Sequence, residues 1–530
     1  MNIELQNFVF DNPGRLELIN YQPKTSIPAK KINVYRNHSF ELVEHSIRPF
    51  LDYAGVCAEF IYSDYDDTLS FFDMDMSADL LILWLDANRY KNIDFTAFLK
   101  GRLMALKEQY HKPVLVVLLD GELDIQDNQI VVYSLEKFRD DLGSRFYDYR
   151  LEKFSGTVMS SALSLQVSRD LGLNYIPALI RPCLKAIVVD LDNTLYLGVL
   201  GEDGIHNITL TEGHRLLQEK LKGLAEQGFF LCIASKNEES DVLEMFRERA
   251  DFPLQLNDFT KICCSWNPKA ESISQISQYL NIGSDSILFI DDNPGELYSV
   301  ANVHTDIHGL LAASDALKTR YMLENYPGIL KLNCSAEDSI RSEDVQANEL
   351  RNQIKATLSS EDYIKSLDME LVFHIDDPAQ IDRISELSNK TNQFIFNYKR
   401  YSPADIEYLM RLNDSVVITV QLSDKLSESG LIAVCTGKKI DDYLEIQECF
   451  VSCRALGRGI DEVIVLGMIS YMQEALNVTN IKVQFQKGER NLPAEKFVAK
   501  YLCTYLEQPS GFSYNVPNEL LAVRLERYGL

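Results

Sequence analysis

Four short stretches, far apart in the chain, carry residue types that together could transfer a phosphoryl group. They are Asp190-Leu191-Asp192-Asn193-Thr194, Ser235-Lys236-Asn237, Lys269 and Asp291-Asp292. A carboxylate such as Asp190 can attack phosphorus and hold it as an aspartyl-phosphate. Asp192 can protonate the leaving oxygen and later activate water or another acceptor. Ser235 would donate a hydrogen bond to a phosphoryl oxygen, with Asn193, Thr194, Lys236 and Asn237 as further phosphate-binding candidates. Lys269 would neutralise charge on that group and on Asp190. Asp190, Asp192, Asp291 and Asp292 form a candidate ligand set for Mg2+, a hard cation that prefers oxygen.

Three of the four stretches stand at the end of a short apolar run. Ala186-Ile187-Val188-Val189 leads into Asp190, Phe229 to Ala234 into Ser235, and Ile287-Leu288-Phe289-Ile290 into Asp291. Such runs suit strands of a parallel sheet covered on both faces. In these sheets chemistry gathers at the carboxyl ends of the strands. The chain also carries a control. Asp64-Tyr65-Asp66-Asp67-Thr68 has the same D-x-D-x-T spacing. It follows a poorer strand, has no matching Ser, Lys or Asp-Asp partners, and reads as a solvated acidic loop.

The chain has 530 residues, too many for one core. Its 46% hydrophobic and 25% charged residues are those of an ordinary globular protein. No apolar run reaches the roughly 20 residues that span a membrane. The start shows no secretory signal, and a cytoplasmic location without a membrane partner is expected. The ten cysteines form neither a zinc pattern nor a disulfide framework. A net charge of −26 argues against nucleic acid as a partner. It leaves small phosphorylated substrates open, since a metal, one lysine and backbone N–H groups suffice for them.

Strand and helix signals divide the chain into residues 1–180, a small α/β domain, 181–334, which carries the site, a polar helical connector at 335–365, and a mixed α+β domain at 366–530. In the last, Arg454-Ala455-Leu456-Gly457-Arg458-Gly459 lies between a strand and a helix predicted from Ile460. Backbone N–H groups at such a place can cradle a pyrophosphate.

The four stretches resemble, one by one, the motifs of the haloacid dehalogenase (HAD) superfamily. That resemblance implies a Rossmann-like core, Mg2+ dependence and a phosphatase or phosphotransferase activity. Neither gap between the motifs holds a cap domain: Leu195–Leu210 is only a flap, so the site is expected to be open. The run DLDNTLYLGVLGEDG at 190–204 resembles the signature of the FkbH-like branch, as do NKTNQFIFNYKRYS at 389–402, SGLIAV at 429–434 and SCRALGRG at 452–459. Tyr196-Leu197 departs from the usual Trp-Gly and Leu426-Ser427 from the usual Phe-Gly. The branch implies a three-domain protein: an SGNH-hydrolase-like (flavodoxin-like) α/β domain, the HAD core with minimal cap, and a GNAT-like α+β domain. It also implies dephosphorylation of a phosphorylated three-carbon substrate derived from 1,3-bisphosphoglycerate, with a glyceryl unit loaded onto an acyl carrier protein. The loop Arg454, Gly457, Arg458, Gly459 is similar to the R-x-x-G-x-G loop that grips coenzyme A or phosphopantetheine. A docking carrier would find its basic patch among Lys399, Arg400, Lys438, Lys439, Arg454 and Arg458.

Cys453, beside Arg454 and a helix start, is a candidate acyl-carrying thiol, with Cys263-Cys264 as the other. Ser39 stands where an SGNH nucleophile would, but no Asp-x-x-His closes the region, so hydrolysis there is not expected. A plain phosphatase acting on a sugar or polyol phosphate, and a non-enzymatic scaffold, are the alternative readings.

Overall fold

The computed structural model describes residues 2–528 apart from 24–26, 66–68, 72–73, 92, 126, 128, 151, 333–344, 346, 349, 352, 356, 457, 489–490, 518 and 520. Asp66, Asp67, Thr68, Gly457 and the first ten residues of the connector therefore lie outside the described residues. By contacts the chain falls into two compact units, Met1–Ile276 with Gly283–Cys334, and Ser277–Ile282 with Ser335–Leu530. No helix of the described residues is long and apolar enough to cross a membrane.

The first unit holds two five-stranded parallel sheets. One comprises β1 (Lys30–Arg36), β2 (Ala58–Tyr62), β3 (Leu80–Leu85), β4 (Val114–Leu118) and β5 (Ile130–Ser134), in the order β2-β1-β3-β4-β5. The other comprises β6 (Ala186–Val189), β7 (Phe230–Ser235), β8 (Lys261–Cys264), β9 (Ile287–Asp291) and β10 (His308–Leu311), in the order β10-β9-β6-β7-β8. β3, β4, β6, β7 and β9 are buried along their whole length, the burial that a helix-covered parallel sheet requires. Each sheet has one place where the strand order reverses: between β1 and β3, and between β6 and β9. Ligands bind outside the carboxyl ends of the strands at such switch points.

The N-terminal helix Ile3–Phe10 packs both on the helix Glu41–Tyr53, where Phe10 meets the Tyr53 ring edge-on, and against the second sheet. Its Leu5, Val9 and Phe10 join the core of Ile187, Val189 and Leu288. Gln6 closes the edge strand: its Nε2 donates to the Leu311 carbonyl at 2.9 Å, and its Oε1 accepts from Leu311 N–H at 3.0 Å. An amide on a helix thus satisfies backbone groups that an open sheet edge would leave exposed.

The second unit is built on a seven-stranded mixed sheet. Its strands are β11 (Glu370–Ile375), β12 (Ser415–Asp424), β13 (Ser427–Ile440), β14 (Tyr443–Val451), β15 (Asn480–Val483), β16 (Ser510–Gly511) and β17 (Ala522–Arg527). They lie in the order β16-β15-β14-β13-β12-β11-β17. The helix Asp461–Leu476 packs over this sheet so closely at Gly467 that a Cβ there would meet the Phe373 ring at 3.0 Å. The α/β class with a Rossmann-like core and an added α+β sheet is the architecture that the apolar runs imply.

Candidate active site

The switch point of the second sheet gathers the motif residues. Asp190 directly follows β6 and Asp291 ends β9, with the Asp190 N–H donating to the Ile290 carbonyl at 2.9 Å. Ser235 ends β7, and Lys269 begins the helix Lys269–Leu280 that follows β8. Lys269 Nζ lies 2.7 Å from Asp190 Oδ1 and 2.7 Å from Asp291 Oδ2, and all three side chains are buried. Among the described residues, Asp190, Asp291 and Asp292 present carboxylate oxygens within 4.8 Å of one another.

Three carboxylates against one ammonium leave this pocket negative in a place where charge is costly. Burial raises the pKa of Asp190, against the pull of Lys269. Burial and then the charge of Asp190 push Asp291 up to about 7. Asp292 is raised mainly by burial. Burial acts to lower Lys269, but Asp190 and Asp291 outweigh it, so the amine is held firmly charged. A divalent cation bound through oxygens would remove the excess charge, and the hard donor set fits Mg2+.

Asp192, also a candidate ligand, stands outside that close set. Its oxygens are already taken: Oδ1 accepts from Tyr196 OH at 2.8 Å and from Leu200 N–H at 2.9 Å, and Oδ2 accepts from Asn237 Nδ2 at 2.9 Å. Asn237 also donates to Ser235 Oγ at 3.1 Å. The amide thereby fixes the Asp192 carboxylate and the Ser235 hydroxyl relative to each other, the hydroxyl buried and the carboxylate half-buried.

The flap is short, as expected, and tied to itself by hydrogen bonds. Asn193 takes a left-handed backbone conformation (φ 54°), and its Oδ1 accepts from Gly198 N–H at 3.0 Å. That side chain serves the turn rather than a phosphate. Thr194 is buried, with no hydrogen-bond partner for its hydroxyl among the described residues. A bridge pairs Leu197 with Thr209 and closes the flap on itself. Gly198 sits at φ 113°, where a Cβ would lie 2.9 Å from Asp203 Oδ2, so the GEDG turn is packed against the flap's own start.

The sequence reading missed two contributors. Tyr196, treated only as a departure from a pattern, is fully buried, stacks on Phe252 and holds Asp192. Its position four residues after Asp192, inside a tight flap, was the available signal. Glu296 is the second. It pairs with Lys236 Nζ at 2.6 Å, so this lysine is neutralised by the helix Pro294–Val303 that follows the Asp291-Asp292 pair.

In the second unit the arginine side chains of the proposed pantetheine loop turn inward, which leaves the loop's backbone N–H groups as its candidate ligands. Arg458 is 3% exposed; its Nη1 lies 3.1 Å from Asp424 and its Nη2 donates to Ser429 Oγ at 2.8 Å. Asp424 also takes Arg351, at 2.8 Å. Arg454 is buried, with Nη2 3.4 Å from the Leu431 carbonyl. Gly459 keeps the left-handed conformation expected of a loop glycine (φ 78°). An amide chain such as pantetheine would bond to a free strand edge, yet the edge of β14 beside this loop is filled. β15 pairs with Tyr443–Ile446, and the stretch Phe394–Phe396 takes the rest. The buried Glu448 fastens that stretch by accepting from the N–H groups of Phe396, Asn397 and Lys399. Arg400 of the expected basic patch is likewise spent, on the carbonyl of Thr391 and on Asn392 Oδ1, both at 2.7 Å.

Cys453 is half-buried in the turn after β14. Cys264 is pushed up to about 12 by burial, and by the nearby charges of Glu239, Asp190 and Asp192, which opposes a thiolate there. In the first sheet, His38 is buried, stacked on Trp84, and its Nδ1 lies 2.9 Å from Thr157 Oγ1. Burial, with Arg89 and Arg36 nearby, brings its pKa down to about 3. Ser39 hydrogen-bonds Glu41, which is itself paired with Arg36, and not a histidine.

No family model and no curated protein matches the chain. Among solved structures it is similar to the N-terminal part of the protein BF1531 from Bacteroides fragilis, solved as containing a phosphatase domain complexed with Mg. That likeness has 20% identity and a TM-score of 0.46, and covers 62% of this chain and 99% of that one. A putative HAD family hydrolase from Streptomyces avermitilis is 15% identical over 27% of this chain and 91% of its own, with a TM-score of 0.21. An uncharacterized protein from Corynebacterium glutamicum is 13% identical over 24% and 85%, with a TM-score of 0.17.

Proposed function

We propose that this protein is a Mg2+-dependent phosphatase or phosphotransferase of the HAD type, working through an aspartyl-phosphate on Asp190. One observation carries the reading: a buried lysine bridging two carboxylates, with a third beside them, at the switch point of a parallel sheet. Asp190 attacks phosphorus, and the bond from phosphorus to the leaving oxygen breaks. Asp192, held by Tyr196, Leu200 and Asn237, gives that oxygen a proton. The same carboxylate then takes a proton from water, whose oxygen displaces phosphate and frees Asp190. Ser235 and Lys269 steady the phosphoryl oxygens, and Asp291 and Asp292 with Asp190 would hold the ion. When bound, Mg2+ supplies the positive charge that lets an anionic nucleophile approach an anionic phosphate.

The finer part of the proposal is the substrate: a three-carbon acyl phosphate derivative whose glyceryl unit ends on an acyl carrier protein. Its support is the 190–204 signature and the absence of a domain inserted between Thr194 and Thr211 or between Lys269 and Asp291, which leaves room for a large substrate. The second unit would receive the carrier through backbone and surface rather than through Arg454 and Arg458. Phosphate release with Mg2+ should stop with EDTA, and intact mass of a candidate carrier should rise by a glyceryl or phosphoglyceryl unit. Full turnover on small esters with no mass change on any carrier would leave the phosphatase and remove the transfer.

A further inference from the structure

Trp266, in the loop between β8 and the helix that starts at Lys269, has its ring in the open. It is 67% exposed, and its Nε1 donates to Glu238 Oε1 at 2.7 Å. A lone exposed apolar residue is ordinary. This one differs because its single polar atom is tied down, so the indole cannot turn to cover itself. It lies two residues past the end of β8 and three before Lys269, and the neighbouring Ser265 N–H donates to the Ser235 carbonyl at 3.1 Å. Cys264 at the end of β8 pairs with Ser235 at the end of β7, which sets this strand end next to the Ser235 motif.

The charges around it limit what could lie there. Both cations of the motif loops are taken: Lys269 by Asp190 and Asp291, and Lys236 by Glu296. The loop that fixes the indole contributes Glu238 and the exposed Glu239. A second anionic group on the substrate would meet carboxylates and no cation of these loops. An uncharged flat group would meet an indole face, on which stacking is favourable.

We propose that Trp266 is a specificity-determining residue: it stacks on the uncharged, flat leaving group of a phosphate monoester and selects against substrates with a second anion. The proposal rests on the phosphatase reading of the site and competes with the three-carbon acyl phosphate as its substrate, since that compound is not flat and carries a second anion. Its test compares phenyl phosphate with phosphoglycolate, which carries an extra carboxylate. The wild-type protein with Mg2+ should prefer phenyl phosphate. Trp266→Ala should cut that preference in kcat/KM about three- to tenfold, through KM. An unchanged ratio, or a wild-type protein indifferent between the two, overturns the proposal. A second readout needs no turnover. The chain has two tryptophans, and Trp84 is fully buried, so emission responding to a ligand on an exposed ring comes from Trp266. Phenylphosphonate with Mg2+ should change the emission of the wild-type protein and leave that of Trp266→Phe unaltered. If no ester is turned over, the phosphatase reading fails, and the emission still decides the platform: a change lost in Trp266→Phe supports it, and no change overturns it.

Discussion

The two parallel sheets of the first unit have the same strand number and the same kind of switch point, yet their ends differ in charge. Between β1 and β3 the ends are tied together. Asn37 Nδ2 donates to the Asp86 carbonyl at 2.9 Å, and Asp86 N–H donates to Asn37 Oδ1 at 2.8 Å. Arg89 covers this pair, 3.3 Å from Asp86 Oδ2 and 2.9 Å from the Asn37 carbonyl. The lone buried carboxylate has its own guanidinium, and His38 is neutral. Between β6 and β9 Asp190 and Asp291 share one lysine with Asp292 beside them, and among the described residues no second cation pairs with these three carboxylates. A switch point offers a place for chemistry. Unbalanced buried charge marks which of two such places is built to receive a cation and a phosphate.

The sharpest way to break the contrast is at the nucleophile. Asp190→Asn should reduce phosphate release on the order of 10^4-fold or more, as removal of a nucleophile does elsewhere. Retained activity in a steady-state assay would sink the assignment. Lys269→Met should cost the metal-free protein about 3–5 kcal/mol at alkaline pH, because two buried carboxylates lose their shared partner. Denaturant unfolding of this variant beside Arg89→Met tests it; an equal loss in both would erase the difference between the sheets.

The acidity of the second switch point should be visible in melting curves. Asp291 has a folded pKa near 7, above the ordinary carboxylate value. A raised carboxylate binds more protons folded than unfolded, so its contribution to stability is present in acid and is lost as pH rises through about 7. The metal-free protein should therefore melt lower at pH 8 than at pH 5.5. Mg2+ should raise the melting temperature more at pH 8, where the ion does not compete with a proton. A Mg2+ effect independent of pH would contradict this. A smaller effect is expected from Tyr196→Phe, which leaves Asp192 two of its three donors: about 1 kcal/mol, or roughly fivefold in kcat. Ser39→Ala, at the first sheet, should leave phosphate release unchanged.

Much of this contrast was legible in advance, for reasons that are local. An apolar run ending in a carboxylate marks a strand carrying a functional group into a loop, and the ends of β6, β7 and β9 fall where Asp190, Ser235 and Asp291 require. Roles set by the direction of a side chain were not legible. Asp192 is two residues from the nucleophile, but the flap turns it toward Tyr196 and Asn237. The Arg454 and Arg458 side chains, named through the resemblance to a pantetheine-gripping loop, turn instead to the Leu431 carbonyl and to Asp424. The inward turn of Arg458 depends on Asp424, 34 residues earlier at the end of β12.

The sequence by itself determined the class of fold, the strands that carry the motif residues, and the residue types available for phosphoryl transfer. These follow from periodicity and from chemistry confined to a few consecutive residues. Only the tertiary structure decided that Asp190, Lys269 and Asp291 form one buried ionic cluster and that Asp192 belongs to a separate hydrogen-bond network. It also decided that the edge of β14 is filled by residues 394–396. Each of these depends on groups distant in sequence meeting in low dielectric, where a partner within 3 Å sets the charge and direction of a side chain.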